Sequence, residues 1–221
     1  MIETAIGPRF STMRTVAAFD FDGTLTSRDS LVPFLIQSSG VTRTAAAALG
    51  ASLRMTRALV LDRSRDDAKE AMFGRLLKGR AAAELVAAGE AFADRIVPRR
   101  IKPEMRQRIA EHRDAGHELV IVSAAPELYI APVAARLAFD GALATRLEVD
   151  AADRLTGRLL GVSCRGPEKV RRLREWMGEE ITSLTAYGDS SGDRELLALA
   201  GTGAVWVGRR RVPGHRRGAP R

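Results

Sequence analysis

The feature that constrains the fold of this chain most strongly is a long helical block that interrupts an alternation of strand-like and helix-like segments. A short apolar segment at residues 16–21 predicts a buried strand, and after residue 103 strand-like and helix-like segments alternate. Between them, residues 29–96 contain no β-branched runs, and their apolar residues recur three and four positions apart, which is typical of helices. Because alternating strands and helices predict a mainly parallel sheet with helices on both faces, the helical block is interpreted as an insertion after the first strand.

The predicted fold class is therefore α/β, a Rossmann-like three-layer core with a mainly parallel sheet and an inserted helical domain. A length of 221 residues is sufficient to bury such a core. The predicted divisions are a loose N-terminal leader at 1–13, an α/β core at 14–28 and 98–208, the helical insertion at 29–97 and a basic, disordered tail at 209–221.

The charge distribution separates this tail from the rest of the chain. A formal charge of +8 suggests a protein that binds polyanions, but six arginines lie in residues 209–221, which leaves +2 for everything before them. The single cysteine, Cys164, excludes an intrachain disulfide and any metal site built from several cysteines. No apolar run reaches the ~18 residues of a membrane span, and no signal peptide is evident, so a cytoplasmic location is expected.

Polar residues follow the predicted strands at the points where those strands end. The first strand ends on the segment that contains Asp20, Asp22 and Gly23, and the second ends on Ser123. A further strand leads into two more acids, Asp189 and Asp193, and a lysine begins a helix after a glycine-containing turn, Lys169. Because ligands bind at the carboxyl ends of strands in open α/β sheets, these side chains are expected at one rim.

Carboxylates that converge in this way repel each other unless a divalent cation is present. An all-oxygen ligand set favours Mg²⁺, which binds through a few carboxylates and substrate phosphate. A carboxylate beside Mg²⁺ can attack phosphorus and form an acyl-phosphate. Asp22 is placed to protonate the leaving oxygen and to activate water. Lys169, Ser123 and backbone N–H groups such as that of Gly23 are placed to hold the phosphoryl oxygens, and the helical insertion is suited to act as a lid.

Four motifs in this order resemble those of the haloacid dehalogenase superfamily of phosphatases. They are DFDGTLT from Asp20, the apolar strand before Ser123, Lys169 after its turn, and GDSSGD from residue 188. The helical block resembles the C1-type cap of subfamily IB, whose members are phosphoserine-phosphatase-like. The resemblance implies that Asp20 is the nucleophile and Asp22 the acid and base, with its backbone carbonyl on Mg²⁺. It also implies that Ser123 and Lys169 bind phosphate, and it assigns two further metal ligands, Asp189 and Asp193, the latter directly or through water.

The sequence departs from phosphoserine phosphatases at two places that bear on the substrate. Asp29 stands where those enzymes usually carry glutamate, and Ser123-Ala124-Ala125-Pro126 replaces a Ser-Gly-Gly type of motif. Phosphoserine is therefore not the expected substrate, and a small-molecule or lipid phosphate ester is expected instead. Asp29 has two interpretations of equal weight, a substrate contact or a cap on the first inserted helix.

Each motif also has a structural interpretation. Asp-Gly is a common turn, Ser123 resembles a helix N-cap, and Lys169 alone would be a solvated lysine. Two other functions stay open, a phosphotransferase that uses the same intermediate and a nucleic-acid or anionic-surface binding module that acts through the arginine-rich tail. No specific nucleic-acid partner is expected for the core.

Overall fold

The computed structural model describes residues 14–58, 65–178 and 181–208, with side chains described outside 50–66 and 181–182. The predicted leader and the arginine-rich tail lie outside the described residues. In chain order the strands and helices are β1 (Arg14–Phe19), α1 (Leu31–Ser39), α2 (Val41–Ala58), α3 (Arg65–Leu76), α4 (Ala82–Arg100), α5 (Pro103–Asp114), β2 (Glu118–Pro126), α6 (Glu127–Arg136), β3 (Gly141–Thr145), β4 (Leu147–Val149), β5 (Leu155–Leu159), α7 (Pro167–Met177), β6 (Ile181–Gly188), α8 (Arg194–Ala200) and β7 (Ala204–Trp206).

Five of these strands form one parallel sheet in the order β3-β2-β1-β6-β7. The strand β1 lies in the middle, and its last four residues are fully buried, which explains why its sequence is a continuous apolar run. The strands β4 and β5 form a separate antiparallel pair. The α/β fold class with a mainly parallel sheet is confirmed.

Side chains of β1 alternate between two apolar clusters on opposite faces of the sheet. Ala17 and Phe19 belong to a cluster that includes residues of α5 and α6 and also residues of the inserted helices α1, α3 and α4. Val16 and Ala18 belong to the other cluster, with residues of α7 and α8. The core therefore has three layers, and the inserted helices extend the apolar cluster on one face of the sheet.

Two local predictions differ from the structure. The sequence pattern of residues 142–149 predicts one strand, but the structure has two there, because β3 pairs with the parallel sheet whereas β4 pairs with β5, and the chain changes partner at Arg146. The helical block was expected to be bounded by Pro98, yet α4 continues through this proline to Arg100. Proline removes only one hydrogen bond there, to the carbonyl of Asp94, and that residue is exposed to water. None of the described helices is long and apolar enough to cross a lipid bilayer.

A glycine fixes the distance between the inserted helices and the helix that follows β2. Gly89 of α4 packs directly on the backbone of α6, and an added Cβ would lie 1.8 Å from the carbonyl oxygen of Leu128. No side chain fits at that distance, so the two helices can pack this closely only if this residue is glycine.

We predict that Gly89→Ala destabilises the protein, because the methyl group forces α4 and α6 apart. The free energy of unfolding in urea should fall by about 1–3 kcal/mol, the usual cost of overpacking. Gly74→Ala is the matched control, since Gly74 also lies in a helix but has open space around its added Cβ. Because alanine has a higher helix propensity than glycine, the Gly74→Ala control should be as stable as the parent or more stable. Equal effects of the two substitutions would contradict the close approach.

Candidate active site

The polar residues singled out in the sequence converge at the carboxyl ends of β1, β2 and β6. They surround a cavity of about 290 Å³. The predicted residues that line it are Asp20, Asp22, Asp29, Ser123, Lys169 and Asp193. Asp189 is not among the lining residues, but one oxygen of its carboxylate, one of Asp20 and one of Asp193 all lie within 4.8 Å of one another.

The turn after β1 brings the first acids to the cavity. Residues Phe21–Leu25 form a tight π-type turn that begins after the extended Asp20. Gly23 has φ +90°, a conformation that L side chains rarely adopt, and an added Cβ would lie 2.2 Å from Oδ2 of Asp189. Glycine is therefore required at this position so that Asp189 can approach the turn. The predicted phosphate contact of the Gly23 N–H stays a prediction.

A buried lysine joins two of the carboxylates. Nζ of Lys169 donates to Oδ1 of Asp20 at 2.5 Å and to Oδ1 of Asp193 at 2.6 Å, and the lysine is only 2 % exposed. Burial alone would lower the pKa of Lys169, but the two carboxylates outweigh burial and raise it. The lysine is therefore a fixed positive charge beside Asp20. The alternative of a solvated lysine is wrong.

Asp193 is fully engaged in hydrogen bonds. Its Oδ2 accepts from the N–H of Ser190 at 3.0 Å, from the hydroxyl of Ser190 at 2.8 Å and from the N–H of Asp189 at 3.3 Å, while Oδ1 accepts from Lys169. Burial raises the pKa of Asp193, but Lys169 and Ser190 outweigh burial, so the pKa lies below its ordinary value. Asp193 is thus an ionised anchor that orders the loop after β6.

Asp20 and Asp22 occupy different environments although one residue separates them. Burial raises the pKa of Asp20 to about 6, against the opposing effect of Lys169. Burial also raises the pKa of Asp22 to about 7, with Ser30 opposing and Asp29 and Asp20 adding to the increase. Oδ1 of Asp22 is buried and accepts no hydrogen bond from the described residues. Asp22 is therefore a carboxyl group that readily holds a proton near neutral pH.

Asp189 lies at the edge of the site. It is half-buried, and its Oδ1 accepts a hydrogen bond from the hydroxyl of Thr24 at 3.2 Å. Burial and the nearby Asp193 raise its pKa. A cation beside Asp189 would relieve this repulsion.

A helix-capping role was the alternative interpretation for both Ser123 and Asp29, and the structure gives a different answer for each. Ser123 is buried within β2, and its Oγ accepts from the N–H of Ala125 at 3.2 Å. It is not the N-cap of α6, a position that Pro126 takes, because β2 continues past Ser123 with a shifted register. Ser30 is the N-cap residue of α1, but its side chain makes no capping hydrogen bond. Asp29, one residue earlier, caps the helix instead, since its Oδ1 accepts from the N–H groups of Leu31 and Val32, and it also lines the cavity.

Sequence reasoning missed three side chains at this site. Nζ of Lys102 donates to the carbonyl of Gly23 at 2.5 Å, and Thr24 donates to Asp189. Lys69 of α3 reaches the core, where its Nζ donates to the carbonyl of Ala124 and to Oγ of Ser163, both at 2.9 Å. One signal was present in the composition, since the chain has only four lysines and three of them meet at this site.

The arrangement combines acids that differ in proton affinity with a fixed positive charge. Asp20 has its charge partly balanced by Lys169, which suits a carboxylate that attacks an electrophile, and Asp22 is placed to transfer a proton. The insertion contributes Asp29, just before α1, and Lys69 of α3 to the lining of the cavity. Such a site can transfer a group through a covalent intermediate on an acid.

Comparisons with known proteins agree with this geometry. The chain is 40% identical over 188 residues to protein CicA of Caulobacter vibrioides, which covers 84% of this chain and 82% of that protein. Over 130 residues it is 39% identical to phosphoserine phosphatase SerB1 of Mycobacterium tuberculosis, which covers 57% of this chain and 42% of that protein. A crystal structure of a protein of unknown function from Bordetella pertussis has a TM-score of 0.72 at 28% identity, covering 85% of this chain and 87% of that one.

A family model also matches most of the chain. The model describes haloacid dehalogenase-like hydrolases and matches residues 17–198, from β1 into α8. This span includes every acid of the site and the buried lysine, together with all the inserted helices. The chain belongs to the haloacid dehalogenase-like hydrolases.

Proposed function

We propose that the protein is a Mg²⁺-dependent phosphatase that hydrolyses phosphate monoesters through an acyl-phosphate on Asp20. The observation that carries this proposal is the pairing of two different acids in one cavity. Asp20 is held and charge-balanced by Lys169, whereas Asp22 has an unpartnered oxygen and a pKa of about 7. The relative in Mycobacterium tuberculosis that is named a phosphoserine phosphatase supports phosphate ester chemistry.

The donor set suits Mg²⁺, because the three carboxylates of Asp20, Asp189 and Asp193 converge and offer only oxygen. Asp20 and Asp189 are the proposed direct ligands, together with the backbone carbonyl of Asp22. Both oxygens of Asp193 already accept hydrogen bonds, so we infer that Asp193 acts through a bound water. When bound, Mg²⁺ offsets the negative charge of the phosphoryl oxygens that Asp20 must approach.

In the first step an oxygen of the Asp20 carboxylate attacks phosphorus, and the bond from phosphorus to the ester oxygen breaks. Asp22 in its acid form donates its proton to that oxygen, which leaves as an alcohol. Lys169 holds Oδ1 of Asp20, which leaves Oδ2 for the attack, and it adds a positive charge beside the transferring group. Ser123 and the N–H of Gly23 are proposed to hold the phosphoryl oxygens.

In the second step Asp22, now a carboxylate, accepts a proton from a water molecule. The water oxygen attacks phosphorus, and the bond between phosphorus and Asp20 breaks, which releases inorganic phosphate and restores both acids. Closure of the inserted helices would keep other water away from the intermediate. Lys69 is suited to this closure because it bridges α3 to Ala124 and Ser163 of the core.

The structure supports a substrate other than phosphoserine on one point. One oxygen of Asp29 accepts hydrogen bonds from the first N–H groups of α1. The side chain of Asp29 is also shorter than that of a glutamate, so it leaves more room in the cavity. Small-molecule and lipid phosphate esters are the proposed classes.

We expect Asp20→Asn to abolish hydrolysis of p-nitrophenyl phosphate and of alkyl phosphates, because an amide is a poor nucleophile. The value of kcat should fall by about three orders of magnitude or more. Asp114→Asn, which changes an exposed acid on α5, is the charge-matched control and should keep parent activity. Substantial turnover by the Asp20 variant would refute the nucleophile assignment.

Asp22→Asn should separate substrates by their leaving groups. Alkyl phosphates need a proton on the departing oxygen, so their kcat/KM should fall by about 10²–10⁴. The nitrophenolate ion leaves without a proton, so kcat/KM for p-nitrophenyl phosphate should change much less. Equal losses for the two ester types would contradict the assignment of Asp22 as the acid.

Metal dependence tests the proposed ligands. Treatment with EDTA should abolish turnover, and added Mg²⁺ should restore it. Asp189→Asn replaces a carboxylate by a neutral amide, so the Mg²⁺ concentration for half-maximal activity should rise by about tenfold or more. The Asp114→Asn control should show the parent requirement. Activity that persists in EDTA would refute the cofactor assignment.

A further inference from the structure

A second cavity lies beside the candidate active site and has the opposite charge. Its volume is about 230 Å³, and it lies between the segment before α1 and the last turns of α4. Its lining is Arg28, Asp29, Pro33, Phe92, Arg95, Ile96, Arg99 and Arg100. We call this cavity the arginine pocket.

Four of its residues are arginines and only one is an acid. Asp29 offsets only one of these four positive charges, and its Oδ1 already accepts hydrogen bonds from the start of α1. The nearest acids along α4, Glu90 and Asp94, both pair with Arg136 of α6. Within the described part of the chain, none of the four pocket arginines has an ion pair with an acid.

The position of α4 explains part of this cluster. Arg99 and Arg100 lie in the last turn of α4, where cations interact favourably with the helix dipole. Arg95 lies one turn earlier, four residues from Arg99, where like charges repel. Arg28 comes from a different segment altogether. The dipole therefore does not account for the convergence of all four arginines on one cavity.

Part of the lining of the arginine pocket is apolar and packed against the protein interior. Phe92 is buried and packs edge-on against Phe34 and Tyr129, and the guanidinium carbon of Arg95 lies 5.5 Å from the centre of the Phe92 ring. This contact holds Arg95 beside the cavity. Guanidinium groups bind carboxylates and phosphates through paired hydrogen bonds.

We propose that the arginine pocket is a binding site for an oxyanion, a carboxylate or phosphate group, next to the catalytic cavity. Asp29 lines both cavities, so the two sites adjoin at this residue. The oxyanion belongs either to the far end of the substrate or to a separate anion, and the experiment below distinguishes the two sources. The substrate version rests on the proposed phosphatase function; anion binding itself does not.

The first arm measures binding of citrate by titration calorimetry in the absence of substrate. Arg95→Gln combined with Arg99→Gln should weaken binding by about tenfold or more, since two guanidinium contacts are lost. Arg75→Gln combined with Arg158→Gln is the control, because it removes the same charge from exposed positions that do not line the pocket. Circular dichroism checks that both double variants fold. Equal citrate binding by both double variants and the parent would overturn the proposal.

The second arm assigns the source of the anion. It compares kcat/KM for alkyl phosphates with that for the same esters carrying a terminal carboxylate, over a series of chain lengths. A preference for a carboxylated ester that is lost in the pocket variant, with unchanged turnover of the plain ester, assigns the pocket to the substrate. Lost citrate binding with unchanged preference assigns it to a separate anion. If no ester is hydrolysed at all, the proposed function fails, while the citrate result still decides the pocket.

Discussion

The site depends on one buried ammonium group, that of Lys169. Asp20 and Asp193 are almost completely buried and lie close to Asp189. The protein interior stabilises charge poorly, so these carboxylates would repel each other strongly if no positive group, such as the Lys169 ammonium, lay between them. Lys169 binds one oxygen of each buried acid and thereby joins the first turn of α7 to the ends of β1 and β6. Removing one partner of such a buried pair commonly costs about 3–5 kcal/mol, so these residues support the fold as well as the chemistry.

The inserted helices complete the site from the other side. Gly89 lets α4 pack on α6, the helix that directly follows β2. Lys69 and Asp29 extend from the insertion to the cavity, and the arginine pocket lies at the same junction. The α/β core thus supplies Asp20, Asp22, Asp193 and Lys169, whereas the insertion adds Asp29, Leu31 and Lys69 to the lining of the cavity.

The fold class and the convergence of the acids could be predicted from sequence, because parallel strands bring their carboxyl ends to one edge. Asp20, Ser123 and Lys169 were found this way although about a hundred residues separate the first two. Lys102 and the arginine pocket were not found. The contact of Lys102 with Gly23 depends on how the chain packs where it returns from the insertion to the core, and the pocket depends on how α4 packs beside the segment before α1. No pattern among neighbouring residues in the sequence indicates how these segments pack. The break between β3 and β4 was missed for the same reason, since it depends on which strand each segment pairs with.

The central claim is that phosphorus becomes bonded to Asp20 during turnover. Rapid acid quenching during hydrolysis, followed by borohydride reduction, converts a phosphorylated aspartate to homoserine, which peptide mass spectrometry can locate. The account predicts homoserine at position 20, only when substrate and Mg²⁺ are both present, and none in Asp20→Asn. Homoserine at another acid, or full turnover with no modified aspartate under any quench time, would contradict it.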